Sequence, residues 1–210
     1  MDLGQNEDVK LYLIRHARTN NNVERVTQGW MDTDLDDHGK DQAKAVASFF
    51  AEIPLTHIFS SDLQRSYETA FPTGQIKAIH VEKTELLRER SLGKLENAPL
   101  SALRQAFENE IKLTGESRYK VRPQGVESAY DVMTRAIEFT KFIKHDSGDV
   151  AVFAHGMIQE CLLCHLIGAP VESSRSFSFD NASITTLEWE TDVWVLLEYN
   201  ATSHLALVSP

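Results

Sequence analysis

Two kinds of apolar run alternate along this chain, and together they sketch its elements. Leu11-Tyr12-Leu13-Ile14 is continuous, stops at Arg15-His16, and predicts a buried central strand. Val150-Ala151-Val152-Phe153-Ala154 repeats the pattern and stops at His155-Gly156. Thr56 to Ser60 and Ala78 to Lys83 read as two further strands. The intervening segments have helical spacing. Ala43, Val46, Ala47, Phe49, Phe50 and Ile53 form one face of a helix that starts near His38-Gly39 and stops at Pro54. Ser61-Asp62 offers an N-cap for a helix carrying Leu63, Arg65, Tyr67 and Ala70, which runs out at Phe71-Pro72-Thr73-Gly74. Further helices are expected at about 100–112, at about 126–144, and through Leu162 and Leu166 to Gly168. Residues 20–37 and 86–99 read as polar loops. Ser183 to Trp189 and Val193 to Tyr199 alternate, and Glu190-Thr191-Asp192 joins them as a hairpin or as adjacent edge strands. Without repeats or a linker, this predicts one α/β domain over 9–210, behind a frayed tail at 1–8.

Composition narrows the partners. The chain has 210 residues and a formal net charge of −10, which argues against nucleic acid or an anionic membrane surface. A few clustered arginines would still make a local basic pocket. No run approaches the ~20 apolar residues of a membrane helix. The acidic N-terminus lacks the features of a signal peptide, and only two Cys are present, so a cytoplasmic protein with reduced thiols is expected. Cys161-Leu162-Leu163-Cys164-His165 matches a haem-attachment pattern but falls in an apolar helix, and is read as core. Asp32-Thr33-Asp34-Leu35-Asp36 lacks the Gly and Glu that a calcium loop requires, and is read as a solvated loop and N-cap region. Neither a metal nor a cofactor is implied.

Chemistry concentrates where strands end. If the strands ending at Arg15-His16, Ser60-Ser61 and His155-Gly156 are parallel neighbours, two His and two Arg converge on one crevice. The helix opening at Gly156 adds free N–H groups and a positive dipole end. Dense positive charge with fixed donors suits a phosphoryl group, whose transfer is chiefly positioning and electrostatics.

Leu13-Ile14-Arg15-His16-Ala17-Arg18-Thr19 resembles the Arg-His-Gly signature of the histidine phosphatase superfamily, which includes cofactor-dependent phosphoglycerate mutases. Further blocks follow in order: Gln28-Gly29, Ser60 to Ala70, Leu87-Arg88-Glu89, Ala154-His155-Gly156 and Asn181 to Thr185. The resemblance implies a three-layer α/β/α sandwich with a mostly parallel central sheet. It implies His16 as phosphoryl-accepting nucleophile, Arg15 and Arg65 as phosphate clamp, and His155 as a further donor. Glu89 would be the acid, with Glu85 the nearby alternative; Asn22, Gln28, Gly29, Gly156 and Met157 would complete the pocket. His204 lines the pocket by the same likeness or is structural; His38, His57, His80 and His145 are read as surface or strand-edge residues. Ala17 replaces the usual glycine and is expected to crowd the phosphate; Arg18 would make the rim more cationic; Leu95-Glu96-Asn97 stands where Trp-Glu-Gly is common.

His16 and His155 lie 139 residues apart, and the segment from the acid to the second histidine is short compared with the resembling mutases. That favours a metal-independent phosphomonoesterase over a mutase, with a phosphate-binding scaffold as a third reading. Arg88, Arg90, Lys94 and Arg104 suit a small-molecule phosphate ester carrying further negative charge. An edge strand near the C-terminus would allow a homodimer.

Overall fold

The computed structural model describes residues 9–143, 148–206 and 208. The expected tail at 1–8, the end of the 126–144 helix and His145 lie outside the described residues. A six-stranded sheet forms the centre: β1 (Lys10–Arg15), β2 (Leu55–Ser61), β3 (Val81–Thr84), β4 (Asp149–Ala154), β5 (Ile184–Glu190) and β6 (Val193–Ala201), in the order β3-β2-β4-β1-β5-β6. The first four strands in that order are parallel, and β5 and β6 add antiparallel to β1. Six α-helices among the described residues surround it: α1 (Asn20–Glu24), α2 (Asp37–Phe49), α3 (Gln64–Lys77), α4 (Leu100–Thr114), α5 (Ala129–Thr140) and α6 (Gly156–Leu166). No helix among the described residues is long and apolar enough to cross a membrane.

Strand alternation builds the three layers. Leu11, Leu13, Val150 and Val152 face α5 and α6 and pack with Val132, Phe139, Ile158 and Leu162. Tyr12, Ile14, Ala151 and Phe153 face the opposite side and pack with Ala43, Val46 and Ala70 of α2 and α3 and with Phe50, which caps α2. Because both faces are covered, these strands read as unbroken apolar runs. Cys161 and Cys164 are buried, unpaired members of the first cluster, as a core helix requires. Outside the sandwich, Leu92, Leu95, Phe107, Val121 and Val126 form a third cluster beneath α4.

The register places the candidate chemistry. Arg15 pairs with Ala154 and Ser60 with Phe153, so three strands end at the same level. The His16 N–H donates to the Ala154 carbonyl at 2.8 Å, which sets His16 beside His155.

Three local expectations change. Residues 20–37 are not all loop, because Thr19 and Asn22 make a reciprocal capping box that opens the short α1. The α3 helix is not capped by Ser61-Asp62: its Gln64 N–H donates to Asp32 at 2.9 Å, while Asp62 binds Arg88. Nor does α3 stop at Pro72; it continues to Lys77 because Thr73 and Gly74 are buried, Gly74 lying where a Cβ would meet Val81 at 2.7 Å. Asp36 caps α2, and a Cβ on Gly39 would come within 2.1 Å of the Arg18 carbonyl, so glycine alone lets the helix start approach the loop after His16.

Candidate active site

A cavity of about 650 Å³ opens at the carboxyl ends of β1, β2 and β4. It is lined by Arg15, His16, Asn22, Gln28, Gly29, Arg65, Glu89, Gly156 and Met157, so nine of the ten expected residues stand on its wall. The tenth, His155, is fully buried directly behind, its ring centroid 5.1 Å from that of His16.

His16 is oriented by its own chain. Its Nδ1 lies 2.8 Å from the Ala17 carbonyl, and a carbonyl only accepts, so Nδ1 carries the hydrogen and Nε2 keeps the lone pair. Burial, with Arg65 and Arg15 close by, holds the ring well below the ordinary histidine range, and His155 is depressed in the same way. Both rings are neutral at physiological pH. Among the described residues neither nitrogen of His155 has a partner, which leaves one donor for a guest.

The two guanidiniums are held from behind. Arg65 donates to the Met31 carbonyl at 2.9 Å and to Gly29 at 2.8 Å; Arg15 donates through Nη1 to the Phe179 carbonyl. Their Nε atoms are buried and have no partner among the described residues. Burial lowers Arg15, and brings Arg65 down to about 10, so both remain charged at neutral pH. Asn22 and Gln28 use their carbonyl oxygens on Thr19, and Gln28 also on Thr33, leaving their amide NH2 groups as donors.

Glu89 faces this group from the opposite wall, where its Oε1 accepts the Met157 N–H at 3.2 Å. Glu85 does not line the cavity; its side chain is largely exposed and pairs with Arg88. The positive end of α6 thus meets the carboxyl of Glu89 in the same cavity as His16 and the two arginines.

The sequence profile of the histidine phosphatase superfamily (branch 1) matches residues 11–202. The chain belongs to that superfamily. It is 32% identical over 199 residues to phosphoserine phosphatase 1 of Hydrogenobacter thermophilus, covering 94% of each chain. It is 30% identical to the probable phosphoglycerate mutase GpmB of Escherichia coli, covering 89% of this chain and 88% of that one. Among solved structures, mycobacterial glucosyl-3-phosphoglycerate phosphatase superposes with a TM-score of 0.78 at 29% identity, covering 93% of this chain and 100% of that chain. Bacillus stearothermophilus YhfR superposes with a TM-score of 0.83 at 28% identity, covering 94% and 99%.

Within this superfamily member, the departures from the signature resolve structurally. Ala17 does not crowd the cavity: its methyl is buried with Leu35 and Ala43 in the core, and its N–H donates to Thr69 at 2.9 Å. Arg18 does not enrich the rim, because its guanidinium pairs with Asp36 at 2.8 Å. Asn97, in the glycine position, has a left-handed φ of 59°, which asparagine tolerates better than most residues. His204 is structural, bound to the Ala182 carbonyl at 2.9 Å and tilted against Phe49, ring centroids 5.6 Å apart. Of the four expected specificity residues, Arg90 and Arg104 line the cavity, whereas Arg88 is held by Asp62 and Lys94 stands outside. Sequence reading passed over Arg25, whose left-handed backbone ends α1 at the cavity wall, and Glu160. Glu160 was detectable in principle, since it lies one helical turn beyond Gly156.

Proposed function

We propose that this superfamily member hydrolyses small phosphate monoesters through a covalent phosphohistidine on His16, without a metal ion. The observation that carries the reading is a neutral His16 with a fixed tautomer beside two buried arginines whose Nε donors have no partner among the described residues. Nε2 of His16 attacks phosphorus in line as the ester P–O bond breaks. Arg15, Arg65 and His155 bind the non-bridging oxygens as charge spreads over them. The leaving oxygen takes a proton from Glu89. In the second half, Glu89 takes a proton from water, whose oxygen attacks phosphorus while the P–N bond breaks. Phosphate then leaves and His16 recovers its lone pair.

The outer wall supports an alcohol portion with a second negative group. Arg25, Arg90 and Arg104 line it, and Arg90 has a buried Nη2 without a partner. Phosphoserine and glucosyl-3-phosphoglycerate, the substrates in two relatives' names, both carry a carboxylate beside the phosphate ester.

A mutase is the second reading, supported by the 30% identity to relatives named probable phosphoglycerate mutases. A panel of phosphate esters assayed in EDTA separates the two. Phosphate release that survives chelation, with an acid-labile phosphoenzyme absent from His16→Ala, is the expected result. Abolition by EDTA or full activity in His16→Ala would overturn the mechanism. Conversion of 3-phosphoglycerate to its 2-isomer without phosphate release would identify the mutase.

A further inference from the structure

The proposed chemistry leaves one carboxyl in the cavity unused. Glu160 lies on α6 one helical turn past Gly156 and faces the cavity with Gly156 and Met157. The same end of the helix receives Glu89: Met157 N–H donates to it, and a Cβ on Gly156 would stand 3.7 Å from its Oε2. One turn places Glu160 roughly 5–6 Å further along. The Glu160 side chain makes no hydrogen bond or ion pair among the described residues.

Five arginines line the cavity: Arg15, Arg25, Arg65, Arg90 and Arg104. Glu160 keeps its proton up to about pH 8 in the empty cavity, and a positive group brought beside it would favour its carboxylate. Half-buried carboxylates are ordinarily paired. Glu160 faces arginines without pairing with any of them, so it is placed for a positive group brought in by the guest.

We propose that Glu160 binds an ammonium group on the alcohol portion of the phosphate ester, making the substrate class a phosphorylated amino alcohol or amino acid. The assignment rests on the phosphatase reading above. In such a substrate the phosphate meets His16, Arg15 and Arg65, a carboxylate meets the arginine wall, and the ammonium meets Glu160.

The surroundings of Glu160 set its pH behaviour. Burial first, then Glu89, raises it, while Arg15, Arg175 and Arg90 pull the other way; the outcome is about 8. The neighbouring Cys161 and Cys164 thiols are pushed up and stay neutral. An ammonium binds the deprotonated carboxylate, so discrimination in its favour grows as pH rises through about 8.

The test compares O-phosphoserine with 3-phosphoglycerate, which share chain, carboxylate and phosphate and differ in ammonium against hydroxyl. Expected is a kcat/KM ratio of about tenfold or more for phosphoserine near pH 8.5, as for one charge-assisted hydrogen bond, shrinking toward pH 6. Glu160→Gln should bring the ratio near one at every pH through a raised KM for phosphoserine, and Glu160→Asp should retain part of it. A wild-type ratio near one, or a ratio unchanged in Glu160→Gln, would overturn the assignment. Failure of the wild-type enzyme to hydrolyse p-nitrophenyl phosphate or form a phosphoenzyme would instead overturn the phosphatase reading.

Discussion

Arg135 on α5 and Glu127 form an ion pair at 2.9 Å that holds the loop carrying Glu89. The same guanidinium donates to the carbonyls of Leu86 and Arg88 at 3.0 Å and of Glu89 at 3.3 Å. Glu127 accepts the Ser91 N–H at 2.7 Å, and its own carbonyl accepts from Arg90 Nε. One planar fork therefore fixes the backbone at Glu89 and the direction of Arg90, which an ammonium could not do.

Replacing Arg135 by Lys keeps the charge and loses the fork. A fall of about tenfold in kcat is expected for esters with poor leaving groups, with little change for p-nitrophenyl phosphate, because only the former depend on a well-placed acid. Arg135→Met strands the half-buried Glu127 carboxylate and should cost about 3 kcal/mol, read from denaturant midpoints. Equal kcat losses across leaving groups would refute the positioning role.

Ala17 follows His16 but turns its methyl into the core, fully buried, and its φ is not among the positive values of the described residues. Restoring the family glycine therefore removes packing and adds chain freedom. Ala17→Gly should destabilise the fold by about 1–2 kcal/mol while leaving turnover within about twofold. Steady-state kinetics and a thermal melt on one preparation check both.

Thr69 holds the same turn from α3: its hydroxyl accepts the Ala17 N–H at 2.9 Å and donates to the Arg65 carbonyl at 2.7 Å. Thr69→Val fills the same volume but orphans a buried N–H, for an expected loss of about 1–3 kcal/mol. Urea unfolding against wild type measures it.

How much of this was legible in sequence follows from what each residue depends on. The strand ends at Arg15-His16 and His155 could be read because buried parallel strands are unbroken apolar runs, and their ends are marked by the first polar residue. Glu89 was preferred to Glu85 by likeness alone, and the fold separates the two: Glu89 reaches the start of α6, while Glu85, in the short turn of residues 85–87, is exposed and pairs with Arg88. Pro72 misled for a tertiary reason: burial of Thr73 and Gly74 carries α3 past a residue that local rules treat as a stop. Arg18 was misplaced because its partner, Asp36, is brought to it by the fold rather than by spacing.

The pH dependence of stability should expose two opposing groups of buried charges. His16 and His155 are held below their unfolded pKa of about 6.5. Below that pH the unfolded chain binds protons that the folded one refuses, so their contribution to stability falls as pH drops. The loss is at most about 1.4 kcal/mol per histidine for each pH unit below 6.5. Glu160 acts with the opposite sign: the folded protein keeps its proton up to about 8, while the unfolded chain has lost it above its lower, ordinary pKa. Its contribution therefore declines as pH rises toward 8. In the wild type the single Glu160 slope offsets part of the two histidine slopes between about pH 5.5 and 6.5. Glu160→Gln should uncover a steep rise in unfolding free energy over that window, and His155→Gln should uncover a decline continuing toward pH 8. Denaturant midpoints across about pH 5 to 8.5 provide the check, and identical profiles for wild type and both variants would show that these groups do not carry the linkage.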